Sequence, residues 1–194
     1  MSTAEPRVRR GPYAKSRERR AEVLHAAIAV FGAKGYNGAS MREVARELGM
    51  SLTAVTHHFG NKVGLLEAVL EETDRQGEDV DMSQGLVDWA TNLAERNLAR
   101  PELLRVLAIV AAEASSPEHP AHEWVVQRYD RIRALVMELV LEDQRAGRIA
   151  ASHDPSYVVD SALALWDGLQ LQWLIDPKVD MVSRLNFALK ALVA

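Results

Sequence analysis

Thr53, Ala54 and His57 are the residues of this chain whose types and spacing point most directly to chemistry. At 100° per residue they share one side of a short helix that begins after Ser51, with Thr56 and His58 on its flanks. Leu52, Val55 and Phe59 fall on the opposite side and are expected to pack inward. The outward set is small or hydrogen-bonding and holds no large aliphatic side chain. Such a face fits a DNA major groove about 12 Å wide, where base edges present donors, acceptors and methyl groups. The competing reading is a surface helix with ordinary polar residues.

The elements around this helix favour the first reading. Ser40 followed by Glu43 is a capping-box start, each side chain satisfying a free N–H of the other's turn. Met41, Val44, Ala45 and Leu48 then recur at i, i+3, i+4 and i+7 and define one buried helical face. Gly49 ends that helix where a left-handed residue is needed, and Ser51 caps the next. Two short helices joined by a tight turn containing Gly form the helix-turn-helix, whose second helix reads the major groove.

Charge is divided unevenly along the chain. Residues 1–62 hold 11 Lys and Arg against 5 Asp and Glu, a net of +6, whereas the other 132 residues hold 12 against 22, a net of −10. A basic N-terminal part suits phosphate contacts, and an acidic remainder is repelled by DNA. Residues 1–16, with Arg7, Arg9, Arg10, Lys15, Pro6, Gly11 and Pro12, read as a flexible basic arm. It would lie along the backbone or in a minor groove, or serve only as a solubilising tail.

Composition sets further limits. With 194 residues, 48% of them hydrophobic, the chain can form a small domain joined to a larger one. It has no cysteine, which excludes disulfides, thiolate metal sites and cysteine nucleophiles. No apolar run approaches the roughly 18 residues that span a bilayer, and the charged N-terminus lacks the apolar stretch of a secretory signal. A cytoplasmic location without membrane contact is expected. The remainder reads as helix throughout: about Arg17 to Lys34 stopped by Gly35, a helix capped by Asn61, one opened by Asp81 or Ser83, one starting at Pro101, a break at residues 115–120, then about Ala121–Ala146, Pro155–Ile175 and Val179–Val193. No run of alternating residues calls for a sheet.

Three patterns between Arg20 and Leu66 carry a resemblance: R-x2-[VL]-x2-AA-x3-F-x3-GY from Arg20, S-x3-VA-x2-LG-x-S from Ser40, and V-x3-F-x2-K-x2-LL from Val55. In these the chain resembles the TetR family of transcriptional regulators. The resemblance implies an all-α fold, with a helix-turn-helix DNA-binding domain at residues 17–62 and a larger helical ligand-binding and dimerisation domain at residues 63–194. It implies a repressor that binds double-stranded DNA as a homodimer, with base reading by Thr53, Ala54 and His57 and backbone contacts from Ser40, Ser51, Thr56, His58 and Lys62. Thr56 departs from the family, which usually has Tyr there, and a threonine hydroxyl reaches less far towards a phosphate.

The family's last two helices pair with their copies in a dimer. Leu163, Trp166, Leu169, Gln170 and Trp173 in one, with Leu185, Leu189 and Leu192 in the other, are the surface expected here; filling the subunit's own core is the alternative. The family's larger domain usually holds an unidentified small-molecule effector, with no further cofactor. Trp89, Leu93, Leu107, Trp124 and Tyr129 could line a cavity for a small apolar or amphipathic ligand, or be plain core. His119 and His122 read as a solvated loop and not as metal ligands, so no metal site is expected. Asp160 and Asp167, on one helix, read as structural or surface groups. No P-loop, GxGxxG, nucleophile elbow or HExxH is present, which leaves an enzyme as the minor reading. A regulator switched by a protein partner is a further alternative, and it would require a filled larger domain.

Overall fold

The computed structural model describes residues 12–75 and 81–194, and all regular structure among them is helical. The elements are α1 (Pro12–Gly38), α2 (Met41–Glu47), α3 (Leu52–Phe59), α4 (Lys62–Arg75), α5 (Leu86–Leu98), α6 (Pro101–Glu113), α7 (His122–Arg145), α8 (Pro155–Ile175) and α9 (Met181–Val193). They divide into two compact units, the smaller ending at Val69 and the larger running from Leu70 to Ala194. The division therefore falls inside α4, seven residues beyond the boundary expected at Lys62. The sequence shows where α4 starts but not where its packing partners change.

In the smaller unit, Val23, Ala27 and Phe31 of α1, Val44 of α2, Val55 of α3 and Leu65 of α4 are wholly or almost wholly buried. Burying a side chain of the size of Val, Leu or Phe contributes about 1.5–3 kcal/mol, so a few such residues hold three short helices together. α1 kinks at Gly35 (φ 71°, ψ 175°), the expected stop, but it begins at Pro12 rather than near Arg17. Proline is tolerated in a first turn, and nothing between it and Gly32 interrupts the helix. Residues 12–16 are thus helix and not arm; the rest of the proposed arm lies outside the described residues.

The larger unit has two core clusters. Leu86, Val136, Leu139, Val140, Ile149, Val158 and Val159 tie α5 to α7 and α8. Ala90, Ala94, Ala162, Met181, Leu185 and Leu189 tie α5 to α8 and α9. Small residues on α5 and α8 let the helices approach closely, and Met and Leu of α9 fill the seam.

The start of α5 departs from the sequence expectation. Asp81 caps only a turn, accepting hydrogen bonds from the Ser83 backbone N–H (2.9 Å) and hydroxyl (3.0 Å). The helix itself begins at Leu86 after Gly85, which has no side chain to cap it. The cap comes from far along the chain: buried Asp143 of α7 accepts the Leu86 N–H at 2.8 Å and pairs with Arg148 at 2.7 Å. Gly85 has φ +89°, and a Cβ there would lie 2.6 Å from Asp143 Oδ1, so both the backbone angle and the space demand glycine. A partner 57 residues away leaves no trace in local sequence.

The break at residues 115–120 is present, but His119 within it is buried and His122, the first residue of α7, is half-buried. His119 Nδ1 accepts the Ala121 N–H at 3.1 Å; His122 Nδ1 lies 2.8 Å from the Ala114 carbonyl oxygen. The imidazoles occupy themselves with the backbone of the turn. Among the described residues no helix is long and apolar enough to cross a membrane.

Candidate DNA-reading helix and cavity

The turn between α2 and α3 is built as the sequence requires. Ser40 Oγ accepts the Glu43 N–H at 3.2 Å and Ser51 Oγ accepts the Ala54 N–H at 3.2 Å. Gly49 between them has φ +62°, which lets the chain reverse without a Cβ penalty. The Glu43 carboxylate pairs with Lys34 of α1, which with Arg46 and the Ser40 N–H holds it below its usual range and ties α2 to α1.

On α3, Val55 and Phe59 are buried, with the Arg20 guanidinium 5.1 Å from the Phe59 ring centroid. Ser40, Ser51, Thr53 and His57 are exposed; Ala54, Thr56, His58 and Lys62 are half-buried. The outward assignment of Thr53 and His57 thus agrees with the geometry. Leu52, assigned inward, is instead exposed, because as first residue of α3 it lies past the edge of the packing against α2. The His57 and His58 rings stand edge to face at 5.5 Å. The Thr56 hydroxyl is directed back along its own helix, to the carbonyl oxygens of Leu52 (3.1 Å) and Thr53 (3.0 Å). Its single proton would have to turn away from both to reach a phosphate. Asn61 Oδ1 accepts the Gly64 N–H at 3.0 Å and caps α4. Lys62 Nζ lies 4.2 Å from the Tyr36 ring centroid, a cation–π contact that restricts where this ammonium can go. Burial raises the Tyr36 pKa, so that ring stays neutral.

The larger unit contains a cavity of about 450 Å³. Trp89, Leu93, Leu107, Trp124 and Tyr129 all line it, as does a third tryptophan, Trp166. Its polar wall is ordered by internal bonds. Tyr129 donates to Asp167 Oδ2 at 2.7 Å, and Trp166 Nε1 donates to Gln170 Oε1 at 3.1 Å. Burial first, then the Asp167 carboxylate, push the Tyr129 phenol up to about 12, so it is a neutral donor. Sequence reasoning missed Asp74, Arg128 and Arg131, which also line the cavity; charged residues on amphipathic helices read as solvated faces.

Residues 23–69 match the model of the bacterial regulatory proteins of the tetR family. The chain carries a TetR-family DNA-binding domain. It is 32% identical over 80 residues to the transcriptional repressor AcnR of Corynebacterium jeikeium, covering 41% of this chain and 42% of that protein. It is 29% identical over 139 residues to the transcriptional regulatory protein RaaS of Mycobacterium tuberculosis, covering 70% and 61%. The match to AcnR thus spans about two-fifths of that relative's length. Its fold resembles that of NalD, the secondary repressor of the MexAB-OprM multidrug efflux pump in Pseudomonas aeruginosa, with a TM-score of 0.69 at 25% identity over 92% of this chain and 95% of that one. Both the TetR-family helix-turn-helix and a helical larger domain are therefore present.

Of the eight residues expected at the dimer surface, Gln170, Leu185 and Leu189 are buried within the unit, and Leu163, Trp166, Leu169, Trp173 and Leu192 are half-buried. Leu163, Trp166, Gln170, Leu185 and Leu189 line the cavity, while Leu169, Trp173 and Leu192 pack on the core around α9. Apolar residues occur on every side of α8, so its periodicity cannot say which side faces its own subunit. On these two helices the exposed large apolar residues are Tyr157, Leu171 and Ile175 of α8 and Phe187 of α9, with Ile175 and Phe187 each 76% exposed. Tyr157, Ala164, Gly168, Leu171 and Ile175 fall within one narrow stripe at 100° per residue.

Proposed function

We propose that this chain is a cytoplasmic, homodimeric transcriptional repressor that binds a palindromic operator and is released by a small molecule. The observation that carries the DNA-binding reading is α3 itself. Its inner side is fixed by buried Val55 and Phe59, and its outer side offers Thr53 and His57 to a groove. Thr53, Ala54 and His57 read bases; Ser40, Ser51, Thr56, His58 and Lys62 meet the backbone. The dimer forms through the exposed stripe of α8 with Phe187 of α9, and so places two recognition helices on half-sites about 34–36 Å apart. An exposed apolar stripe of this kind in a charged protein is what an unoccupied interface looks like.

The cavity supports a small-molecule effector, since about 450 Å³ lies in the range of ligand sites and its lining is apolar and aromatic with a few converging polar groups. A regulator switched by a protein partner calls for a filled larger unit, which this cavity speaks against. α4 runs unbroken from Lys62 to Arg75 and belongs to both units, so it is the covalent route between effector and operator. An effector acts only through its differential affinity for the DNA-bound and released forms.

Selection of bound fragments from a random DNA pool, at two salt concentrations, tests the proposal. A palindrome with half-sites about one helical turn apart is the expected product. Weak binding to all sequences that vanishes as salt rises would reduce the protein to a non-specific polycation contact.

A further inference from the structure

At the edge of the cavity, two arginines of α7 converge on one carboxylate at the end of α4. Asp74 Oδ1 accepts from Arg128 Nε at 3.1 Å, and Oδ2 accepts from Arg131 Nη2 at 2.7 Å. All three residues line the cavity. The Asp74 and Arg128 side chains are about one-third exposed and Arg131 about one-half, so the cluster meets solvent as well as the cavity. Two guanidiniums facing one carboxylate leave the cluster with a surplus positive charge. Arg100 also lines the cavity, and the other lining carboxylate, Asp167, accepts the Tyr129 hydroxyl. Beyond the cluster the wall is mostly apolar, leucine and tryptophan above all, with the Tyr129–Asp167 pair and Gln170 among its polar groups; Arg128 itself lies over the Trp124 ring at 5.9 Å.

We propose that the effector is an amphipathic carboxylic acid whose carboxylate takes the place of Asp74 on Arg128 and Arg131, while its apolar body fills the cavity. This deepens the small-molecule reading above and rests on it. Asp74 already demonstrates that the two guanidiniums can close on a single carboxylate. Each Asp74 contact is made through one guanidinium nitrogen to one oxygen, whereas a free carboxylate can approach either guanidinium side-on and accept two parallel bonds. Partly exposed ion pairs are weak and exchange readily, so the internal carboxylate is a displaceable competitor. A neutral ligand of the same shape has nothing to gain at this end. A cation would have to compete with two guanidiniums for one carboxylate. Asp74 stands next to the last residue of α4, so its displacement unties the end of α4 from α7. Effector binding and the α4–α7 tie are then alternatives by competition for the same donors.

Trp89, Trp124 and Trp166 line the cavity and report its occupation by fluorescence. The full chain is titrated with decanoate, decanol and decyltrimethylammonium below their aggregation concentrations. Decanoate is expected to give saturable quenching at least about tenfold tighter than decanol, the scale of a charge-assisted hydrogen-bonded pair, with the ammonium weakest. Arg128→Gln with Arg131→Gln should abolish the advantage of decanoate and leave decanol binding intact, which also checks that the cavity still forms. Asp74→Asn should tighten decanoate several-fold, because the competitor has gone; a purely structural Asp74 would give the opposite sign. Decanol binding as well as decanoate, no saturable decanoate binding, or weaker decanoate binding by Asp74→Asn each overturns the proposal. None of these readings needs DNA, so failure of operator binding is seen separately.

Discussion

In the proposed complex, Lys62 and His57 make opposite kinds of contact with DNA. An ammonium held over the Tyr36 ring can meet a phosphate, which every sequence provides. An exposed imidazole on the outer side of α3 can meet a base edge, which only some sequences provide. Lys62→Ala should therefore weaken binding to all sequences alike and reduce the slope of log K against log salt by about 1. His57→Ala should cost about 1–3 kcal/mol against the preferred base and relax preference at that position only. Quantitative binding to an operator series at several salt concentrations checks both, and equal loss on every sequence for His57→Ala would remove it from the base-reading set. At this scale the sequence was informative where a side chain answers to its own helix. The spacing of Thr53, Val55, His57 and Phe59 distinguishes inner from outer side, and the structure agrees. Leu52 is the exception, because the same periodicity cannot say where a helix runs past its neighbour.

Among the described helix starts that a side chain caps, five are capped locally and one, that of α5, at long range. Ser40, Ser51, Asn61, Asp154 and Asp180 all accept an N–H two or three residues ahead, and each of these starts was legible to within two residues. α5 was not, because its cap is Asp143. Asp143→Ala should cost about 2 kcal/mol, chiefly the Leu86 N–H left without its acceptor and the lost cap; Arg148 is partly exposed and can return to water. Gly85→Ala should be at least as damaging, since a Cβ would displace the same carboxylate. Thermal melts of the two variants check this, and a change of less than a few tenths of a kcal/mol would mean that α5 is held by its apolar contacts alone.

The exposed caps carry a pH signature. Hydrogen bonds from the Ser156 hydroxyl and N–H lower the Asp154 pKa below 3.8, and those from Ser183 do the same for Asp180. A lowered folded pKa contributes stability that is present above 3.8 and is lost as pH falls through the folded value. Asn still accepts the backbone bond but does not titrate. Asp154→Asn with Asp180→Asn should therefore melt below the wild type near neutrality, with the difference shrinking steadily in melts taken down to about pH 3.

The proposed association of two copies turns on which side of α8 faces outward. Ile175→Asp or Phe187→Asp should leave the fold intact, since each side chain is mostly exposed, and give monomers in sedimentation velocity with much weaker operator binding. Leu189→Asp, fully buried, should instead unfold the larger unit. If Ile175→Asp and Phe187→Asp both remain dimeric, the interface lies elsewhere. The outward side of α8, the proposed dimer face, is the part of the molecule least visible in the sequence. Apolar residues surround α8, and only the packing of α5, α7 and α9 shows which of them are already used. The cavity was more legible, because Trp89, Leu93, Leu107, Trp124 and Tyr129 are large groups on the inner sides of three helices that cannot all close the same space.

The apolar residues of the TetR-family patterns in this chain are mostly interior, Val23, Ala27, Phe31, Val44, Ala45, Val55, Phe59, Leu65 and Leu66 among them, whereas Ser40, Ser51 and Lys62 reach the surface. They specify that a reading head is built and are silent on what it reads. Thr53, Ala54 and His57 belong to none of the matching patterns, and Thr53 and His57 bear no packing load. With Thr53, Ala54 and His57 as the proposed base readers, the head is an alphabet-neutral part. Its address can be rewritten at two or three positions without touching the joinery beneath, and a gene duplicate could acquire a new set of target promoters while its melting temperature stayed where it was.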